Sequence, residues 1–282
     1  MRRHLKKRQG LISSKKSIWF FIDMVNEDSI IKRKSAIYRN LKTNMLVEDT
    51  KSQCFPIPGY GKNYKVILDA SDVKCENLII DAIEKQYGRE DLENSLYQFF
   101  QTCVSVIMAN GYAAYEIVYF TNDKEEIESF GFTLIPPTAF LIEKNKFKQY
   151  IPKEIIEERN LTSQYVDFAP EDILLFELPN DVKPYYNEMM ESLIFLGQNL
   201  FPKFALENLR NPTIPFSHND YMHSRELALA KATQKLGWNS RNYSNEYKFE
   251  YYVWHRQLKF YKFLCQLRDI ILAKFNEGVE RV

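Results

Sequence analysis

The residues best suited to chemistry stand in "SHNDYMHSRE", where His218, Asp220, His223 and Glu226 follow one another closely. Imidazoles with carboxylates are the ligand set of a hydrolytic metal centre, which polarises a substrate and activates water. The spacing does not suit such a centre. A zinc helix offers two histidines four apart with a glutamate after the first, as in H-E-x-x-H, and neither condition holds here. Ser217 and Asp220 serve equally well as helix N-caps, whose side-chain oxygens accept from the first backbone N–H groups. A second carboxylate set, Glu171, Asp172 and Glu177 in "PEDILLFE", is of the kind metal-dependent nucleases use. Pro-Glu-Asp is also an ordinary turn leading into a strand. The loop "PIPGYGKNY" holds a G-x-G-K, but a phosphate-binding loop needs Ser or Thr after the lysine, and Asn63 stands there. His4 and His255 are isolated, and neither a nucleophile elbow nor a glycine-rich dinucleotide fingerprint occurs. The residues therefore point away from an enzyme, and no metal or cofactor is expected.

Cys54, Cys75, Cys103 and Cys265 form no C-x-x-C pair and have no histidine at ligand spacing, which argues against a zinc site and against a disulfide-stapled secreted domain. The start, "MRRHLKKRQGLISSKK" followed by "SIWFFIDMV", imitates a signal peptide. Asp23 interrupts the apolar run, no small-residue cleavage site follows, and the run is too short to span a bilayer. A soluble chain with no membrane partner is expected. The 282 residues are 45% apolar, enough for a sizeable core in one large or two small domains, and aromatics reach 15%. That surplus fits a core or a surface that buries against partners. A net charge of +1 confines any nucleic-acid role to local patches.

The one basic patch is terminal. Residues 1–17 read as a flexible arm carrying Arg2, Arg3, Lys6, Lys7, Arg8, Lys15 and Lys16 with no acidic residue before Asp23. It is either a solvated tail or a phosphate-binding or assembly arm. Helical periodicity marks Asn26–Lys42, Cys75–Gly88 and Asp91–Asn110, and "KVILDASD" (Lys65–Asp72) reads as a strand. Gly111 fits the left-handed position that ends a helix, and Tyr115–Phe120 then favours strand through its aromatic and branched residues. After a charged turn at Asn122–Glu128, short strands are expected at Gly131–Ile135, Ala139–Glu143, Phe147–Ile151 and Ile173–Leu178. Pro136-Pro137 breaks the first from the second, because proline donates no ladder hydrogen bond. Long helices are expected at Met189–Asn208, Asp220–Leu236 and Ser244–Asn276. The last is apolar over much of its circumference. Tyr247, Tyr251, Trp254, Leu258, Tyr261 and Cys265 follow a four-three alternation, while Phe249, Val253, Phe260, Phe263, Leu267 and Ile271 take another side. Such a helix wants several neighbours, from its own chain or from the next subunit of an oligomer.

The order of these segments resembles the core of tailed-bacteriophage portal proteins. In that family a helix runs into a G-N-A-Y-like turn and a strand. A proline-bearing hairpin, a tyrosine-ended strand and a "pe-D-I-l-h-f" strand follow. Here Gly111, Tyr112 and Tyr115 match the turn, and Leu134, Pro136, Pro137 and Phe140 match the hairpin. Tyr150 matches the tyrosine, and Pro170, Glu171, Asp172, Ile173 and Phe176 match the last strand, so the likeness covers about Asp91 to Arg210. Asn110 precedes the glycine rather than following it, Leu175 replaces the usual histidine, and nothing after Pro212 aligns. The chain is short for a portal, which implies a reduced wing or crown.

The resemblance implies an α+β fold: a portal-like core of short antiparallel strands packed with helices over residues 18–210, then a helical C-terminal region over 211–282. It further implies a homo-oligomeric ring, usually of twelve subunits, at a capsid vertex of the virion, assembled in the host cytoplasm. Double-stranded DNA would pass through the channel, and the major capsid protein would surround the ring. The terminase large subunit would dock on one side and head-completion or tail proteins on the other. Tyr247, Tyr251, Trp254, Leu258 and Tyr261 are then candidates for the subunit interface. Two rivals stand beside this reading. One is a nucleic-acid-binding interaction module, or a domesticated host relative of portals, that uses the basic arm. The other is a metal-dependent hydrolase built on His218, Asp220, His223 and the acidic strand start at Glu171 and Asp172.

Overall fold

The computed structural model describes residues 41–56, 68–69, 73–87, 92–121, 127–143, 146–159, 162–198, 218–239 and 250–281. The basic arm, nearly all of the Asn26–Lys42 helix, Tyr247 and the glycines of "PIPGYGKNY" lie outside these residues. Of the expected strand at Lys65–Asp72 only Leu68 and Asp69 are described, and they belong to no strand.

The described elements in chain order are α1 (Leu41–Cys54), α2 (Val73–Tyr87), α3 (Leu92–Asn110), β1 (Tyr112–Thr121), β2 (Ile127–Ile135), β3 (Phe140–Glu143), β4 (Lys146–Tyr150), α4 (Lys153–Arg159), β5 (Tyr165–Phe168), β6 (Ile173–Glu177), α5 (Tyr186–Gln198), α6 (His218–Ala232) and α7 (Glu250–Glu280). Short 3₁₀ turns at Pro170–Asp172 and Lys183–Tyr185 lead into β6 and α5. The fold is α+β, built on two three-stranded antiparallel sheets ordered β2-β1-β6 and β3-β4-β5.

The junction of α3 and β1 sets the architecture. Gly111 takes φ +86°, and its N–H donates to Ile107 O at 2.7 Å, closing the helix. A Cβ at that point would lie 3.2 Å from the Tyr186 ring, whose hydroxyl donates to Met108 O at 3.1 Å. The backbone angle requires glycine, and a Cβ would also crowd the Tyr186 ring. Beyond it, β1 is the central strand of its sheet, with Ala114 opposite Ile135 on one side and Leu175 on the other. Side chains alternate between faces along a strand. Ala113, Tyr115 and Ile117 enter the main core, while Ala114 enters a second, smaller one with Ile135, Phe140, Phe168 and Ile173. A strand buried on both faces has no use for an alternating polar residue, which is why "YAAYEIVYF" is hydrophobic at every position but Glu116.

Aromatic rings fill the main core. Phe99 lies 5.0 Å from Tyr115 and 5.4 Å from Phe275, and Phe55 stacks on Phe100 at 4.9 Å, all centroid to centroid. These rings come from Phe55 just past α1, from α3, from β1 and from α7, so one cluster ties the start of the described chain to its end. Each such pair adds about 0.5–1.5 kcal/mol beyond area burial.

Several expectations need correction. Pro136-Pro137 does not join a hairpin: β2 pairs with β1 and β3 with β4, so the prolines carry the chain from one sheet to the other. Tyr112 fixes that crossing, its hydroxyl donating to Pro137 O at 2.9 Å. Burial raises the pKa of this phenol. Helices α1 and α4 and strand β5 appear where none was expected, and β1 and β2 run longer than expected. The strand expected at Phe147–Ile151 is β4, which begins one residue earlier, at Lys146, and ends at Tyr150. Helix α6 starts at His218, so Asp220 lies inside its first turn rather than at its cap. The helix expected to reach Leu236 stops at Ala232, where Thr233–Gly237 form a turn with Gly237 at φ +79°.

Candidate subunit interface on the last helix

Helix α7 is held by one face along its length. Phe263, Leu264, Leu267 and Ile271 are buried in the main core, and Phe275 packs against Phe99, Phe100 and Phe132. Near the end Gly278 lies against β6, where a Cβ would stand 2.5 Å from both methyl carbons of Leu174. Arg281, just past the helix, donates to Glu171 O at 3.3 Å and Ile173 O at 3.2 Å.

The N-terminal half is fastened by a buried polar knot. Arg256, 4% exposed, donates to Ala230 O at 2.9 Å, to Thr233 Oγ1 at 2.7 Å, to Trp238 O at 2.6 Å and to Asn239 Oδ1. Its charge therefore faces the last-turn carbonyls of α6, where the helix dipole favours a cation. Trp238 Nε1 in turn donates to Asp49 Oδ2 of α1 at 3.0 Å. Gly237 makes the turn possible, since a Cβ there would lie 2.4 Å from Arg256 O.

With that face committed, the other is outward. Tyr251 is 83%, Trp254 58%, Leu258 64% and Tyr261 63% exposed. These are four of the five residues expected from the sequence as an interface. Cys265, at the end of the same alternation, is half-buried. The Tyr251 ring stacks on His255 at 6.5 Å between centroids. The faces separate as the sequence spacing requires: Phe260, Phe263, Leu267 and Ile271 are buried.

The residues singled out for chemistry are not brought together. His218 and His223 sit on one helix five positions apart, about 140° around its axis. His223 is exposed and Glu226 half-buried. Glu171 and Asp172 lie in the turn before β6 and Glu177 at its far end, roughly 16 Å along the strand. Glu177 pairs with Lys183. Among the described residues no three His, Cys, Asp or Glu side chains gather as ligands of a metal ion. Cys54 and Cys103 are buried and Cys75 is exposed. Burial pushes the Cys54 thiol up to about 12, against a smaller lowering by Arg268. Among the described residues no helix is long and apolar enough to cross a membrane.

The sequence missed the Arg256 knot. A lone arginine in an aromatic helix carries no sign of its acceptors, which come from other segments. Several of the residues that suggested the portal resemblance are packing residues here, while Pro170, Glu171 and Asp172 form the turn before β6. Gly111 closes α3, Tyr112 and Pro137 fix the crossing, Tyr115 packs on Phe176 at 5.7 Å, and Phe140 stacks on Phe147 at 5.6 Å. No family model matches the chain, and no curated protein matches it.

Proposed function

We propose that this chain is the structural subunit of a portal-like homo-oligomeric ring at a capsid vertex, through which double-stranded DNA is packaged and ejected. The observation that carries this reading is the outward stripe of α7, a row of large apolar side chains on a helix whose opposite face is fixed in the core. Three exposed aromatics of this kind offer roughly 400 Å². That is about half of what one partner buries in a specific interface. A rigid helix presenting it pays little ordering entropy on association. The order of α3, glycine turn, β1, proline crossing and "APEDILLF" strand supports placing the interface in a portal-like subunit. In that setting the partners are further copies of the chain, DNA in the channel, the terminase large subunit, the major capsid protein and head-completion or tail proteins.

Size-exclusion chromatography with light scattering, followed by negative-stain imaging, tests the proposal. A ring with a central hole is expected. A chain that stays monomeric at micromolar concentration overturns it. Open or two-subunit assemblies without a hole would reduce it to a simpler oligomer.

A further inference from the structure

The stripe on α7 is cationic as well as aromatic. From Tyr251 to Arg268 the helix contains no Asp or Glu. Its two guanidinium groups turn inward, Arg256 into the knot and Arg268 to Cys54 O at 3.0 Å. The outward charge is left to Lys262, which lies within about 20° of Tyr251 and 40° of Leu258 around the axis, and to Lys259 at the margin. Neither lysine has an ion-pair partner among the described residues.

A surface of opposite character lies on α5. Its thirteen residues, "YNEMMESLIFLGQ", include two acids and no base. Glu188 and Glu191 are exposed, and Phe195, 65% exposed, falls between them around the axis. Neither glutamate has an ion-pair partner among the described residues. An apolar centre with acidic flanks is what a cationic aromatic stripe needs opposite it, because unlike charges at the rim set register and suppress wrong pairings.

Resting on the ring reading, we infer that the α7 stripe of one copy docks on the Glu188–Glu191–Phe195 face of α5 in the next. Pairing two unlike faces is heterologous, and such contacts close into a ring when the rotation between copies divides a full turn. A nucleic acid is the poorer occupant. Two outward lysines neutralise few phosphates, whereas a strand-tracking groove carries many cations beside its stacking rings.

Charge exchange tests the pairing. One variant carries Lys259→Glu and Lys262→Glu, the other Glu188→Lys and Glu191→Lys. Each alone places like charges across every contact, so assembly should need at least about tenfold more protein. Mixed in equal amounts they restore opposite charges at every contact of an alternating assembly, and the wild-type concentration dependence should return. Circular dichroism confirms that each variant is folded. If wild type assembles and the mixture does not recover, the pairing is wrong while the ring reading stands. A monomeric wild type overturns both. If the lysine variant assembles normally but loses retention of an oligothymidine strand, the stripe belongs to nucleic acid and the inference falls.

Discussion

At the scale of single residues, two glycines and a thiol report on the packing. Replacing Gly278 by alanine should favour the helix by up to about 1 kcal/mol on propensity alone. The new Cβ would stand 2.5 Å from the fully buried Leu174, and overpacking of this kind costs about 1–3 kcal/mol. Gly278 also lies in the last turn of α7, where propensity counts least, so the clash wins and Gly278→Ala should lower the melting temperature. Gly237→Ala should be worse. It combines φ +79° with a Cβ placed 2.4 Å from a backbone oxygen, which a side-chain rotation cannot relieve. Thermal melts of both variants check the order: Gly237→Ala lower than Gly278→Ala, and both below wild type. Cys54 makes a prediction about pH. Its thiol is neutral when protonated, and burial lifts its pKa from 9.0 to about 12. In the unfolded chain it ionises near 9, so its contribution is complete below that pH and is lost as pH rises toward 12. Wild type should therefore lose urea resistance between pH 8 and pH 10 more steeply than Cys54→Ala. Equal slopes would mean that the thiol is not shifted. In the native protein iodoacetamide should modify exposed Cys75 and spare Cys54 and Cys103.

At the scale of elements, the decisive joint is the one that seats α7. The Arg256 guanidinium donates to four neutral acceptors, drawn from the end of α6 and the turn after it. Removing the guanidinium takes a donor from each of these acceptors, of which Trp238 O keeps the Thr233 hydroxyl at 2.7 Å, and each buried acceptor left unsatisfied costs about 1–3 kcal/mol. Arg256→Ala should therefore destabilise by at least about 3 kcal/mol in urea unfolding, while Lys262→Ala on the outer face should stay within about 0.5 kcal/mol. If the two variants unfold alike, the knot does not hold the helix. The contrast shows what was legible in the sequence. Helix α3, its glycine stop and β1 were plain, because a local period, a left-handed glycine and a run of β-formers agree. The two faces of α7 were legible as alternations, but their orientation was not, because aromatic residues lie on both. Helix α1 was hidden for a different reason. "LKTNMLVEDTKSQC" buries Thr43, Asp49 and Thr50 beside Leu46 and Val47, so it shows no apolar stripe. Its buried polar groups find partners in place, Thr50 at Leu46 O and Asp49 at Trp238, and the second of these is distant in sequence. The Pro136-Pro137 break was visible, but not its destination. Whether β3 returned to β2 or began another sheet depended on Phe147 and Phe168 waiting beyond it.

At the scale of the molecule, charge is divided unevenly. The seven cations of residues 1–17 exceed the whole chain's net charge of +1, so residues 18–282 sum to a formal −6. In the proposed ring such bodies would repel a duplex, which suits a channel through which DNA slides, since each neutralised phosphate would add salt-sensitive grip. Any firm hold on DNA must then come from the arm. If all seven cations of one arm contacted a duplex, the logarithm of the binding constant would fall with that of salt with a slope near −6 per chain. Full-length protein should thus retain duplex DNA at low salt and release it steeply as salt rises. Protein lacking residues 1–17 should show little retention at any salt, while the assembly we propose through the α7 stripe should be unchanged. Fluorescence anisotropy over a salt series, run beside light scattering on the same samples, measures both. Retention that survives the deletion would place the DNA contacts on the acidic body and contradict a sliding channel. Assembly that fails with the deletion would make the arm, rather than α7, the element that joins the subunits.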